Sequence, residues 1–426
     1  MINDELRNRI TALIKREVVP AIGCTEPAAV AFAVATARDL LGCIPEKISL
    51  DLSGNMLKNA MGVGIPGTGM IGLPIAVALG AIIGKAERGL EVLENVDKNA
   101  VEAGKRYIAE NCIEIGVREK APSKLWIDCN VVGDDHSARV VISKSHTNIV
   151  RTEVDGKILS DNPDISDSIE QDNDVKLKMS MVWQYATESP IDELRFILEA
   201  KRLNKLAAEK ALSGDFGHSL GSTISSKGAF YLGNRHLEHM LTYTSAACDA
   251  RMGGAMIAVM SNSGSGNQGI TATMPVVTFA EDTGATEEQT IRALVLSHLT
   301  SIYIKQSLGR LSALCGCVVA STGAASGITY LMGGKLPEVC ASVKNMVATL
   351  TGMICDGAKP SCSMKIASGV ATAMLSAMLS VNGKCVTAAE GIIAEDVDQT
   401  ISNLTSIGRE AMRETDRLVL SIMTSK

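Results

Sequence analysis

Cys355 and Cys362 stand seven residues apart in Gly352-Met-Ile-Cys-Asp-Gly-Ala-Lys-Pro-Ser-Cys-Ser-Met-Lys365, with Gly357 and Pro360 between them. Both are helix breakers, so one helix is expected to end near Cys355 and another to start after Pro360. The two thiols would then sit on a turn where the backbone can aim both at one point. Cys315 lies 40 residues before Cys355, in Leu314-Cys-Gly-Cys317, again at the head of a run of small residues. A disulfide needs two cysteines, and zinc usually takes four ligands in short pairs. Three cysteines with wide, unequal spacing on helix-linking turns fit an iron–sulfur cluster better, with one iron left open. Spacing alone does not exclude Cys317, and Cys340 is a further thiol.

Three other stretches carry groups suited to a small polar ligand. Cys24 opens Cys24-Thr-Glu-Pro27, ahead of the apolar run 28–41 and Gly42. Thr25 suits an N-cap, Glu26 and Pro27 suit a first turn, and Gly42 suits a stop. Cys24 is thus expected at a helix N-terminus, where exposed amides and the macrodipole favour thiolate; the plainer alternative is a buried structural cysteine. The glycine-rich stretch 54–69 holds Asn55, Lys58, Asn59 and Thr68. It lacks the P-loop order, yet could bring amides and Lys58 against an anionic group. Otherwise it is a tight connector. Ser261-Asn-Ser-Gly-Ser-Gly-Asn-Gln-Gly269 is uncharged and follows an apolar run. Its Ser263, Ser265, Asn267 and Gln268 could wrap a carboxylate, with the N-terminus of a helix over 270–280 aimed at it.

The histidines carry less. His136 falls on a turn and reads as exposed, while His146 could point into a site. His236 and His239 are three apart with no third ligand beside them in sequence, and the H-E-x-x-H order is missing, so they read as a helix surface.

The elements that must position these groups follow from periodicity. Helices are expected over 1–19, 70–84, 91–110, 191–212, 290–306 and 337–354. Strands are expected over 47–53, 125–132, 138–143 and 148–154, with hairpin signals at Gly133-Asp-Asp135 and Asp155-Gly156. Residues 155–176 are acidic and read as a solvated linker. The predicted fold class is α+β. A domain over 1–178 mixes helices with a small antiparallel sheet, and an all-helical domain spans 179–426. Hydrophobic residues make up 46% of the 426 but aromatics only 3%, so the apolar mass is aliphatic and suits packed helices. A net charge of −6 leaves no basic footprint for nucleic acid. The apolar run 71–84 is too short for a membrane span and carries Pro74. No leader is expected at the start, so a cytoplasmic protein follows, with its 11 cysteines mostly reduced thiols or ligands. Ala/Gly-rich helices would allow a homo-oligomer.

The 352–359 stretch, Cys315-Gly-Cys-Val-Val-Ala, the 261–269 loop and Gly23-Cys-Thr-Glu-Pro together resemble the L-cysteine desulfidase family, which is related to the α part of the iron–sulfur L-serine dehydratases. The four motifs occur in the expected order over nearly the whole chain. The resemblance implies a [4Fe-4S] cluster on Cys315, Cys355 and Cys362, and Cys24 as the group that meets the cluster or removes the substrate proton. It implies β-elimination on a small L-amino acid. L-cysteine would give pyruvate, ammonia and sulfide; L-serine or L-threonine is the alternative. The loops holding Asn55, Lys58, Asn59 and Thr68, and Ser263, Ser265, Asn267 and Gln268, would hold the carboxylate and amine. Residues 421–426 lack the tail cysteine with which some related serine dehydratases cap the cluster. Two rival readings stand beside this one. Ser265-Gly-Asn-Gln-Gly269 with Lys227 is similar to a pyridoxal-phosphate ammonia-lyase, though no run of four glycines cups a phosphate. A non-enzymatic helical binding protein would use its cysteines as core residues.

Overall fold

The computed structural model describes residues 2–94, 96–162, 175–233, 235–309 and 312–425. The fold is α+β. Its N-terminal part runs α1 (Asp4–Glu17), β1 (Pro20–Ile22), α2 (Thr25–Leu41), β2 (Lys47–Leu52), α3 (Gly54–Ala60), α4 (Leu73–Ile82), α5 (Lys98–Glu110), β3 (Cys112–Val117), β4 (Trp126–Gly133), β5 (His136–Ser143), β6 (Ile149–Val154) and β7 (Lys157–Asp161). The six longer-range strands form one sheet, in the order β3-β2-β4-β5-β6-β7. It is mixed rather than purely antiparallel: β2 pairs parallel with β3 and antiparallel with β4. The chain reaches β3 from β2 by a long excursion through three helices, which makes the parallel pairing possible. Ile48, Leu50 and Leu52 alternate inward from β2 and meet Ile127, Cys129 and Val131 of β4. Helix α2 covers that face with Val30, Phe32 and Val34.

Several expectations are corrected here. The stretch 54–69 is a loop only in its second half, since Gly54–Ala60 is helical. The expected helix over 91–110 begins at Lys98, capped by Asp97, whose carboxylate accepts from the Ala100 amide at 2.8 Å. Residues 157–161 of the expected linker are the edge strand β7, whose ladder to β6 includes Arg151 opposite Asp161; the acidic stretch 163–174 lies outside the described residues.

The C-terminal part is helical: α6 (Met179–Glu188), α7 (Ile191–Leu194), α8 (Leu198–Leu212), α9 (Leu220–Leu232), α10 (Arg235–Met252), α11 (Gly266–Thr283), α12 (Glu287–Leu308), α13 (Gly316–Leu331), α14 (Leu336–Leu350), α15 (Cys362–Val381), α16 (Val397–Ser406) and α17 (Arg413–Thr424), with the short strand β8 (Ala258–Met260) on β1. Helices α11, α12 and α13 are buried almost all round. Small residues allow this. A Cβ on Gly323 of α13 would meet Ser297 O of α12 at 2.3 Å, so the two backbones touch where glycine leaves room. Helix α15 is apolar and long enough to cross a membrane, but Ile366, Val370, Ala373 and Ala377 bury one side in the helical core.

The ends of the chain cross over. Ile10, Leu13 and Ile14 of α1 join the helical core, while Leu420 of α17 packs against the sheet-bearing core.

Candidate active site

The three cysteines are brought together by a short antiparallel bridge, Leu314 with Ile354. Cys315 N–H donates to Met353 O at 3.0 Å, and Cys355 N–H donates to Ala313 O at 2.7 Å. The helix expected to run to Ile354 therefore stops at Leu350, and Cys355 lies outside any helix. Backbone pairing sets the two thiols in contact. As neighbours, Cys315 pulls the pKa of the Cys355 thiol down while Cys355 pushes that of Cys315 up. Lys58, Lys365 and the Gly357 amide lower Cys355 further. Cys362 follows as the first residue of α15, its thiol pushed up mainly by burial. Gly357 makes the turn between them with φ +90°, and a Cβ there would lie 2.1 Å from Lys58 O.

Cys315, Cys355 and Cys362 line a cavity of about 370 Å³, and Cys24 lines it too. Cys24 is itself the N-cap of α2, one residue before the expected Thr25. The residue is 5% exposed, and its sulfur accepts from Arg251 Nη2 at 3.2 Å. The expected ionisation near neutral pH is corrected: burial pushes the thiol up to about 12 despite Arg251 and the helix terminus.

Asn55, Asn59, Ser263, Ser265, Asn267 and Gln268 all reach the same cavity. Ser265 is the N-cap of α11. Asn267 Oδ1 accepts from Arg251 Nη1 at 3.0 Å. Gln268 is 3% exposed and packs on Gly316 beside Cys315. Its Oε1, like Asn55 Oδ1, is buried with no hydrogen-bond partner among the described residues. Two orphan acceptors in a polar cavity suit a ligand that donates, such as an ammonium.

Two expected ligand groups are elsewhere. Lys58 is turned about 100° from Asn59 on α3 and is buried against Asp416 of α17. Thr68 donates to Ile65 O at 2.7 Å and shapes its own turn. Gly64 and Gly72 serve close backbone packing instead: a Cβ on Gly64 would meet Gly254 N at 2.6 Å, and one on Gly72 would meet Met61 O at 2.9 Å. Lys227 is exposed on α9 and does not line the cavity of the 261–269 loop, which removes the residue that a Schiff-base reading needs. His136 pairs with Asp155 at 2.8 Å at the hairpin end. His236 and His239 do have an acidic neighbour, Asp282 of α11, at 3.4 and 3.0 Å. His146 does reach the cavity, as do Cys317 and the lysines 124 and 144 from the sheet side. Cys317 donates to Lys365 O at 3.1 Å, which turns its sulfur toward α15.

Sequence reasoning missed Glu26 as a cavity group, together with Arg251, Lys305 and Lys365. A signal existed for one of them: Lys305 follows the largely apolar run 293–304 of a helix that is buried almost all round, a pattern that points to a partner or a site; Arg251 ends a helix that also carries Glu238 and Asp249, which gave no such signal. The lining includes five Lys or Arg side chains (residues 124, 144, 251, 305, 365) against one carboxylate, Glu26. That excess favours anionic contents.

Residues 87–421 match the serine dehydratase alpha chain family model. The chain belongs to that family. It is therefore a member of a lyase-type, serine dehydratase-like enzyme family. Over its whole length it is 58% identical to a UPF0597 protein of Bacteroides thetaiotaomicron, covering 99% of that protein. It is also 57% identical to one of Bacteroides fragilis, covering 99% of this chain and 98% of the relative. One of Shewanella halifaxensis is 45% identical, with 97% of each covered.

Among the described residues no group of three or more His, Cys, Asp or Glu is arranged round a single ion. A multi-iron cluster is several ångström across, so its ligands stand apart. The donor set fits it: three thiols from two chain stretches, on one cavity, with Lys58 and Lys365 offsetting thiolate charge.

Proposed function

We propose that the protein catalyses β-elimination on a small L-amino acid, with L-cysteine giving pyruvate, ammonia and sulfide, using a [4Fe-4S] cluster held by Cys315, Cys355 and Cys362. The observation that carries this reading is the convergence of those three thiols and Cys24 on one cation-rich cavity. When bound, such a cluster supplies a Lewis-acidic iron for a carboxylate or a leaving sulfide or hydroxide. Gln268 Oε1 and Asn55 Oδ1 accept from the substrate ammonium, and Ser265 and the start of α11 donate to its carboxylate, while Ser263, whose hydroxyl donates to Asn262 Oδ1 at 2.8 Å, shapes the loop. Cys24 Sγ takes the α-proton as a thiolate, its own thiol proton having first left to solvent through the cavity, and the Arg251 guanidinium offsets the charge that the sulfur carries until then. The resulting aminoacrylate hydrolyses to pyruvate and ammonia. Water must enter for that last step, and a polar-lined cavity of about 370 Å³ has room for it.

The test is anaerobic reconstitution with iron and sulfide, followed by pyruvate assay on L-cysteine, L-serine and L-threonine. A brown protein that turns over L-cysteine fastest is expected, and Cys355→Ala should lose both colour and turnover. Preference for serine or threonine would reassign the substrate. A protein that binds no iron would sink the reading.

A further inference from the structure

Arg251, 5% exposed at the end of α10, joins two of the stretches that this chemistry would use. Nε donates to Gly23 O at 3.1 Å, Nη1 to Asn267 Oδ1 at 3.0 Å and Nη2 to Cys24 Sγ at 3.2 Å. Its place is enforced from the far side. A Cβ on Gly266 would fall 2.3 Å from Nε and 2.9 Å from Cζ, so a side chain at 266 would displace the guanidinium. A buried guanidinium normally sits on a carboxylate, because desolvating an unpaired cation is costly. Here the acceptors are a carbonyl, an amide oxygen and a sulfur, all formally neutral while Cys24 is a thiol. A cation built in beside a sulfur is complementary to that sulfur once it is charged.

We propose that Arg251 is a positioning residue: it holds the Cys24 sulfur at the cavity wall and balances the charge that sulfur carries during proton transfer. This rests on the reading of Cys24 given above. Loss of the guanidinium then slows the chemical step without weakening substrate binding.

The test compares Arg251→Gln, Arg251→Lys and Arg251→Ala with the reconstituted wild-type protein. In R251Q, kcat should fall about 100-fold with KM little changed. Iron content per chain should stay at the wild-type level. Millimolar guanidinium should restore R251A by about tenfold, while tetramethylammonium should not. In the cluster-free protein, iodoacetamide labelling of Cys24, followed by peptide mass, should slow about tenfold in R251Q. Gly266→Ala, which keeps the arginine but displaces it, should move kcat and labelling the same way. An unchanged kcat, a rise confined to KM, or unaltered Cys24 labelling in natively folded variants would overturn the proposal. If the wild-type protein makes no pyruvate, the functional reading falls, and the labelling alone decides the role of Arg251.

Discussion

His298 is completely buried in α12, behind the 261–269 loop. Asn262 Nδ2 donates to its Nδ1 at 3.1 Å. Thr273 Oγ1 already donates to Gly269 O, so it accepts from His298 Nε2, at 3.0 Å. The network assigns one neutral tautomer, and burial lowers the imidazole to about 3. The sign of the pH effect follows. Between roughly pH 6.5, where an unfolded histidine titrates, and about 3, the unfolded chain binds a proton that the folded one refuses. Stability is therefore fully present above that window and falls as pH falls through it, by several kcal/mol in all. Urea unfolding of the cluster-free protein at pH 7.5 and 5.5 should show a larger acid loss in the wild type than in His298→Asn. Equal losses would mean that the histidine is protonated in the native state. This residue was not legible in the sequence: a lone histidine in Leu296-Ser-His-Leu299 has no neighbour that signals its partners, which come from α11 and the loop before it.

At the scale of elements, the site depends on two pieces of backbone that approach too closely for a side chain. The 355–362 turn lies on α3 through Gly357, whose added Cβ would strike Lys58 O at 2.1 Å. Gly383 has similar backbone, φ +70°, but open space around it. The pair separates strain from contact. Gly383→Ala should cost about 1 kcal/mol, the left-handed penalty alone. Gly357→Ala should cost about 3 kcal/mol or more, because the turn or α3 must shift. It should also reduce iron uptake, since the turn carries Cys355 and Cys362. Thermal melts of both variants with and without reconstitution would check this. The turn itself was legible from Gly357 and Pro360, and the helix starting at Cys362 agrees with it. The bridge of Leu314 with Ile354 was not, because a one-pair ladder has no periodicity to read.

For the whole molecule, the last helix returns to the first half of the chain. Asp416 of α17 meets Lys58 of α3, whose side chain is 2% exposed, and Leu420 packs against Gly54. Lys58 in turn lies under the Cys355 turn, so the ion pair fastens the last helix to the element beneath the site. Asp416→Ala strands a buried ammonium and should cost roughly 3 kcal/mol, discounted because the carboxylate is partly exposed. Lys58→Met removes the buried charge and leaves only the partly exposed Asp416 carboxylate, so it should cost less. The double variant should be more stable than Asp416→Ala alone, as urea midpoints would show; additive losses would mean that the pair is not coupled.

The sequence by itself determined the helix-rich α+β class, the strands 47–52, 126–133, 136–143 and 149–154 to within a residue or two, and which loops hold polar groups. These are local matters: side-chain period, glycine and proline placement and capping chemistry act within a few residues. Only the tertiary structure decided that Asn59 faces the cavity while its neighbour Lys58 faces Asp416, that Cys24 is held by Arg251, and that burial overrides the helix terminus at that thiol. Those outcomes come from contacts between residues hundreds of positions apart, and desolvation depends on everything packed around a group, which no stretch of sequence specifies alone.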